Sequence, residues 1–368
     1  ALNTAQYKLV VADALIQHLA PIRQRYQAIV QDEEYLASLL EAGALKAKAN
    51  AENALMRVYS DIGFTNGTVL NSSALPLEIP HSDQEKLIFS GIQPTGSLHL
   101  GNYFGAVKQW VAMQDEGNSV MVSIVDQHAI TVPQDAAELR HSILRMAASL
   151  IACGIDPERS ILFQQSRVSE HAQLCAILAN LSLVAALSRQ GHYKDKVESL
   201  KTKPSLGLFT YPVLQAYDIL LYNASHIPVG EDQKQHIELA RDICNKFNKT
   251  YGKTFRNPKP IILDGSVARL KSLQRPSKKM SKSEKNSSSR IEILDSSDKI
   301  LEKIVAAETE NVKSIAYNPS KLPGISNLIA IHSLVSGESI ESIAQGNCHL
   351  QPLDYLKLLV AAAGLELE

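Results

Sequence analysis

Along residues 1–65 apolar side chains recur at helical spacing. Ala44, Ala47, Ala51, Leu55, Val58 and Ile62 fall three and four apart, forming one stripe, and Asp32 opens an acidic turn suited to a helix N-terminus. Residues 66–85 (NGTVLNSSALPLEIPHSDQE) lose this period and collect Asn, Ser, Pro and Gly, so 66–86 reads as a linker. From Leu87 the pattern changes. Short apolar runs at 87–91 (LIFSG), 120–126 (VMVSIVD) and 160–164 (SILFQ) read as strands, with helical stretches over roughly 103–116, 135–153, 171–189 and 231–250. Strands alternating with helices predict βαβ units, an α/β fold with a Rossmann-like parallel sheet and ligands at its carboxyl edge. After Pro276 comes a loop rich in Lys and Ser, and 291–368 return to helical texture. The expected organisation is a helical segment 1–65, the linker 66–86, a catalytic domain 87–275, a loop 276–290 and a helical domain 291–368.

Composition narrows this picture only slightly. A chain of 368 residues, 45% hydrophobic and 20% charged, suits a soluble globular protein of two or three domains. Its net charge of −1 leaves any nucleic-acid surface to a local patch. Cys153, Cys175, Cys244 and Cys348 are far apart with no CxxC pair, which argues against a zinc ribbon or disulfide framework and fits a reducing compartment. No apolar run approaches the ~20 residues of a spanning helix, so no membrane partner is expected.

Four stretches carry candidate chemistry. In FSGIQPTGSLHLGNYFGA (89–106) a strand, a glycine turn and a helix start follow one another, an arrangement that points unpaired N–H groups at an anion. His99 would add a donor there, and Gly101 would admit a flat base against the backbone; an ordinary βα turn with an incidental histidine reads the same way. In SLQRPSKKMSKSEKN (272–286) Lys278, Lys279, Lys282 and Lys285 suit a polyphosphate, or form a solvated basic loop. In FTYPVLQAYDILLYN (209–223) Tyr211, Gln215 and Asp218 stack on one face of an otherwise apolar helix and need partners if buried. In HIPVGEDQKQHIELARD (226–242) Glu231 and Asp232 sit in the first turn of a helix, as caps or as partners of a ribose or ammonium group.

Together these motifs carry a resemblance. PTGSLHLGN (94–102) is similar to the HIGH motif of class I aminoacyl-tRNA synthetases, and KMSKS (279–283) matches the second class motif letter for letter. FSGIQPTG, SIVDQHAIT (123–131), GIDPERSILFQQS (154–166) and VGEDQKQHIEL (229–239) resemble tryptophanyl-tRNA synthetases of the mitochondrial type, over about Leu87 to Gly346. The resemblance implies a Rossmann-like catalytic domain with an all-helical anticodon-binding domain. It also implies a homodimer that joins L-tryptophan to tRNA(Trp) through an adenylate, using ATP with Mg²⁺ and no protein metal cage. The compartment it implies is the mitochondrial matrix, or the cytoplasm for a bacterial source. Carried over residue by residue, catalysis falls on His99, Lys279 and Lys282. ATP falls on Gln93, Pro94, Thr95, Gly101, Asn102, Gly230, Glu231, Asp232, Leu270, Lys279, Met280, Ser281, Lys282 and Ser283. Tryptophan falls on Phe89, Gly91, Gln93, His128, Tyr211, Gln215, Val229, Gln233 and Asp218, the last as acceptor of the indole N–H.

Two departures accompany it. Tyr217 stands where the family usually has alanine, making a QAYD that resembles the QxxD of tyrosyl enzymes. A neighbour on a helix points about 100° away, so Tyr217 is expected to miss the pocket. The second departure is order. Residues 3–64 resemble the family's extreme C-terminal helices yet precede the nucleotide turn, whereas 324–346, which those helices should follow, leads to an unfamiliar LQPLDYLKLLVAAAGLELE. The chain reads as a rotated version of the family, with 1–65 packing on 291–368 and Arg23 and Arg25 facing tRNA phosphates. The alternatives are a tyrosyl enzyme, which VGEDQ and GIQPTG oppose, and a catalytically silent RNA-binding relative, which intact His99 and KMSKS oppose.

Overall fold

The computed structural model describes residues 2–65, 86–189, 204–230, 233–262, 270–281, 284 and 286–345. The chain forms two compact units. One gathers the described residues of Ala1–Ala28, Gly96–Lys108 and Asp264–Glu368; the other gathers those of Ile29–Thr95 and Gln109–Leu263.

The second unit holds a five-stranded, wholly parallel sheet: β1 Leu87–Ile92, β2 Ser119–Ile124, β3 Ile161–Gln164, β4 His226–Val229 and β5 Lys259–Ile262, in the order β3-β2-β1-β4-β5. Order reverses at β1/β4, which puts the crevice of a doubly wound sheet at the carboxyl ends of those strands. The sequence pattern contains β1, β2 and β3. It misses β4 and β5, which are four residues long and interrupted by Pro228 and Pro260.

Helix α1 (Thr4–Ile29) is followed by α2 (Glu33–Asp61), which starts as Asp32 accepts the Tyr35 N–H at 2.8 Å. The expected helix at 103–116 begins earlier, as α3 (Leu100–Asn102), runs through a π-helical turn at Tyr103–Val107 and continues as α4 (Lys108–Asp115). Then come α5 (Asp126–Ala129), α6 (Ala136–Ala152), α7 (Glu170–Ala179) and α8 (Val184–Ser188), the last two being the single helix expected at 171–189. The row ends with α9 (Leu206–Leu221), α10 (Lys234–Tyr251), α11 (Ser297–Val305), α12 (Pro323–Ser336) and α13 (Ile340–Ala344).

The two N-terminal helices belong to different units. In the first unit α1 buries Tyr7, Val11, Leu15 and Leu19. The Tyr7 hydroxyl meets His332 Nδ1 at 3.2 Å, Lys8 Nζ donates to the Val305 and Ala307 carbonyls, and the Arg23 guanidinium donates to the Asp295 carbonyl at 2.7 Å and to Ser297. Arg23 is half-buried and engaged within its own unit, and Arg25 is exposed. In the second unit α2 lies on β3, α6 and α7. A Cβ on Gly43 would come within 1.9 Å of the Leu162 carbonyl oxygen of β3, so the helix touches strand backbone there. The stripe Ala44–Val58 thus covers the sheet unit, a correction to the expected packing on 291–368. Alanines beside a glycine let a helix approach a strand more closely than larger side chains allow.

Candidate active site

A polar cluster lies inside the core of the sheet unit, at the carboxyl ends of β2 and β3. Asp218, on the inner face of α9, is 2% exposed. Its Oδ2 accepts from His128 Nε2 at 2.9 Å, its Oδ1 from His171 Nδ1 at 2.6 Å, and the Gln165 amide nitrogen lies 2.9 Å from both oxygens. Burial raises the carboxyl pKa, but the two imidazoles outweigh it and hold the group down to about 2. Asp218 is thus an ionised, acceptor-only group in an apolar surround.

Each donor is placed by a different element. His128 sits on α5, directly after β2. Gln165 follows β3; its side-chain oxygen Oε1 accepts the Gln127 N–H at 3.2 Å. Buried Asp126 accepts from the Ser166 N–H and from the Gln164 amide, tying the ends of β2 and β3 together. His171 lies in the first turn of α7, and its Nε2 meets the Tyr222 hydroxyl at 2.8 Å. Neither Gln165 nor His171 is singled out by the sequence: a buried histidine in SEHAQ resembles any core histidine until Asp218 is seen beside it.

Among the sequence candidates in this unit, Tyr211 is buried, edge-on to the His128 ring, with its hydroxyl 3.4 Å from His236 Nε2. His236 Nδ1 lies 2.8 Å from the Gln233 side-chain Oε1, so Tyr211, Gln233 and Asp218 are linked through two histidines. Gln215 is half-buried, and Val229 is buried at the end of β4. Phe89 stacks on Tyr222 in the core, 5.5 Å between centroids. Gly91 is exposed near the end of β1, where a Cβ would lie 2.9 Å from a Val125 methyl. Gln93 and Thr95 are half-buried, Pro94 is buried and Gly230 is exposed. Tyr217 points elsewhere, its hydroxyl 3.1 Å from Ser182. Glu231 and Asp232 lie outside the described residues.

The other unit holds residues 96–102 of the first class motif and the second motif. Gly96 turns the chain with φ of 64°, a left-handed conformation that suits glycine. His99 then caps α3: its Nδ1 accepts the Asn102 N–H at 3.3 Å while the Asn102 side chain accepts the His99 N–H at 3.4 Å. With Nδ1 as acceptor, a neutral His99 carries its proton on Nε2. A Cβ on Gly101 would lie 2.9 Å from His99 Cε1, so the space left by this glycine borders the imidazole. The turn is held by the Leu100 N–H donating to the Ile291 carbonyl and the Ile293 N–H to the Leu98 carbonyl. In the lysine loop, Leu270–Ser272 run antiparallel to Lys278–Met280 through the Met280 N–H to Leu270 and the Ser272 N–H to Lys278. Leu270 and Met280 are buried and Lys279 is exposed, so apolar anchors hold an ammonium group outward. Ser281 is half-buried; Lys282 and Ser283 lie outside the described residues.

A parallel sheet of this order, with a histidine-capped turn and a KMSKS loop, defines a nucleotide-using synthetase. The chain belongs to the tRNA synthetases class I (W and Y), the family matched by residues 82–349. The tryptophan–tRNA ligase of Caldanaerobacter subterraneus subsp. tengcongensis is 46% identical over 258 residues, covering 70% of this chain and 78% of that protein. The crystal structure of a tryptophanyl-tRNA synthetase from Mycoplasma pneumoniae, 31% identical, superposes with a TM-score of 0.65 over 74% of this chain and 80% of that one. A Campylobacter jejuni tryptophanyl-tRNA synthetase complexed with ADP and tryptophan, also 31% identical, gives 0.58 over 76% and 91%.

Proposed function

We infer that the chain is an ATP-dependent tryptophan–tRNA ligase. The observation that carries this reading is Asp218, an ionised carboxylate buried at the carboxyl edge of the sheet and able only to accept. In this reading it receives the indole N–H, with Tyr211 and Gln233 on the amino acid's polar end. Agreement with the named activity of relatives near 46% identity supports it. The amino acid carboxylate attacks the α-phosphate of ATP, pyrophosphate leaves, and the terminal ribose hydroxyl of tRNA(Trp) takes the acyl group. His99 on Nε2, the backbone N–H groups around Gly96–Asn102, and Lys279 with Lys282 are assigned to the phosphates. Magnesium is read as arriving on ATP, since Mg²⁺ commonly binds through phosphate oxygens and retained waters.

The remaining assignments belong to the same reading. A homodimer and a mitochondrial matrix location follow from resemblance, and separated cysteine thiols fit a reducing compartment. The rotated segment order is supported for α1 by its hydrogen bonds to residues 295–335. A tyrosyl enzyme is the second reading, because a phenol can also donate to Asp218. ATP–pyrophosphate exchange with each amino acid separates them: exchange driven by tryptophan alone is expected, and exchange driven by tyrosine overturns the assignment.

A further inference from the structure

The Asp218 cluster contains a chain of groups that the reaction as described does not use. His171 is fully buried on α7, between a carboxylate and a phenol. Its Nδ1 lies 2.6 Å from Asp218 Oδ1 and its Nε2 lies 2.8 Å from the Tyr222 hydroxyl. The carboxylate can only accept, so Nδ1 carries a proton; in neutral imidazole Nε2 is then the acceptor and Tyr222 the donor. Tyr222 is itself fixed by the Phe89 and Phe163 rings, 5.5 and 5.8 Å away. In either protonation state His171 donates to Asp218 through Nδ1; in the neutral imidazole the donors run one way, Tyr222 to His171 and His171 to Asp218.

A carboxylate offers about four lone-pair sites. His171 takes one on Oδ1, His128 one on Oδ2, and the Gln165 amide is shared between the two oxygens. About one site remains for a substrate donor. We propose that His171 is a positioning residue for amino-acid selection: backed by Tyr222, it locks the Asp218 carboxylate so that its one remaining acceptor site serves a ring N–H. This rests on the reading that Asp218 receives that N–H. The geometry also explains why the group stays ionised while buried. Groups facing it are His128 from α5, His171 and Cys175 from α7, and Tyr222 after α9, with Glu170 acting on Tyr222. Of these, burial and the carboxylates push the Cys175 thiol to about 11 and the Tyr222 phenol well above its ordinary range, so both are neutral near pH 7. The imidazoles are therefore what opposes desolvation of Asp218, and without His171 its pKa should climb.

The test compares adenylate formation with tryptophan and with its benzothiophene analogue, in which sulfur replaces the ring N–H, using the full chain. Asp218→Ala is the control for the underlying reading. In His171→Leu the preference for tryptophan over the analogue should fall by about tenfold or more, as when a buried acceptor loses its alignment. The KM for ATP should be unchanged, and the acid limb of kcat/KM for tryptophan should move to higher pH. His171→Asn keeps a donor near the Nδ1 position and should restore most of the preference. Tyr222→Phe should lower it a few-fold. A preference and acid limb unchanged in His171→Leu, or His171→Asn no better than His171→Leu, overturns the proposal. Should His171→Leu fail to fold, Tyr222→Phe decides, and native values in that variant overturn it. Failure of the underlying reading looks different: Asp218→Ala would then activate tryptophan normally.

Discussion

At Gly101 a missing side chain borders a functional one. The Cβ of alanine would sit 2.9 Å from His99 Cε1 and 3.0 Å from Nδ1, so Gly101→Ala should push the imidazole off its cap on Asn102. ATP–pyrophosphate exchange is expected to fall by roughly tenfold or more, the scale of a misplaced electrostatic donor, with the melting temperature changed little at this short helix. Lys279 is the complementary case, exposed at the end of a short antiparallel pairing anchored by Leu270 and Met280. Lys279→Ala should slow adenylate formation about a hundredfold, with kcat and kcat/KM falling together, as for a contact made in the transition state. A rise in the KM of ATP alone would instead make it a ground-state binder. Asp218 could be picked out of the sequence because a carboxylate on an apolar helix face needs a partner. Of its partners His128 was named through the resemblance, but Gln165 and His171 were not: they come from two other elements, and no local periodicity connects them to Asp218. Gly101 was legible as a close-approach position, and His99 borders the space it leaves.

Elements show the same division between periodicity and tertiary choice. The stripe on α2 gave the helix but not its partner, because an alanine face fits any flat apolar surface; Gly43 decides for β3. Gly43→Ala drives a methyl into the Leu162 carbonyl and should destabilise the full chain by about 1–3 kcal/mol or more, read from urea unfolding. Helix α1 is tied differently, through two histidines. The imidazole of His18, with Nδ1 3.0 Å from the Val335 carbonyl, and that of His332, against Tyr7, both titrate below the usual range. Burial is the main cause for both, joined for His18 by Lys108. The unfolded chain, near 6.5, then binds protons before the folded one does. The stability these residues contribute is complete above that value and is lost as pH falls toward the folded pKa values. Amide-exchange protection of α1 should therefore drop as pH falls below about 6.5, and His332→Gln should flatten the change.

On the scale of the whole molecule, the strand–helix alternation was sufficient to predict a parallel sheet. The linear domain boundaries do not coincide with the two compact units, because periodicity carries no information about which non-adjacent segments meet. Removing residues 2–28 takes Tyr7, Leu15 and Leu19 out of the unit containing α12. Limited proteolysis should then cut within 291–345 first, while the sheet of the other unit resists; equal resistance in both would show α1 to be dispensable.

The pairing of α1 with α12 also sets a timetable for synthesis. Tyr7 and His332 are 325 residues apart, and at ~5–20 residues per second the ribosome needs about 16–65 s to deliver the second after the first. For most of that interval α1 lacks its partners within 295–335, while α2 can dock as soon as β3 emerges, far sooner. A nascent chain carrying this sequence should therefore depend on a holding chaperone at α1, even though a helix forms within microseconds.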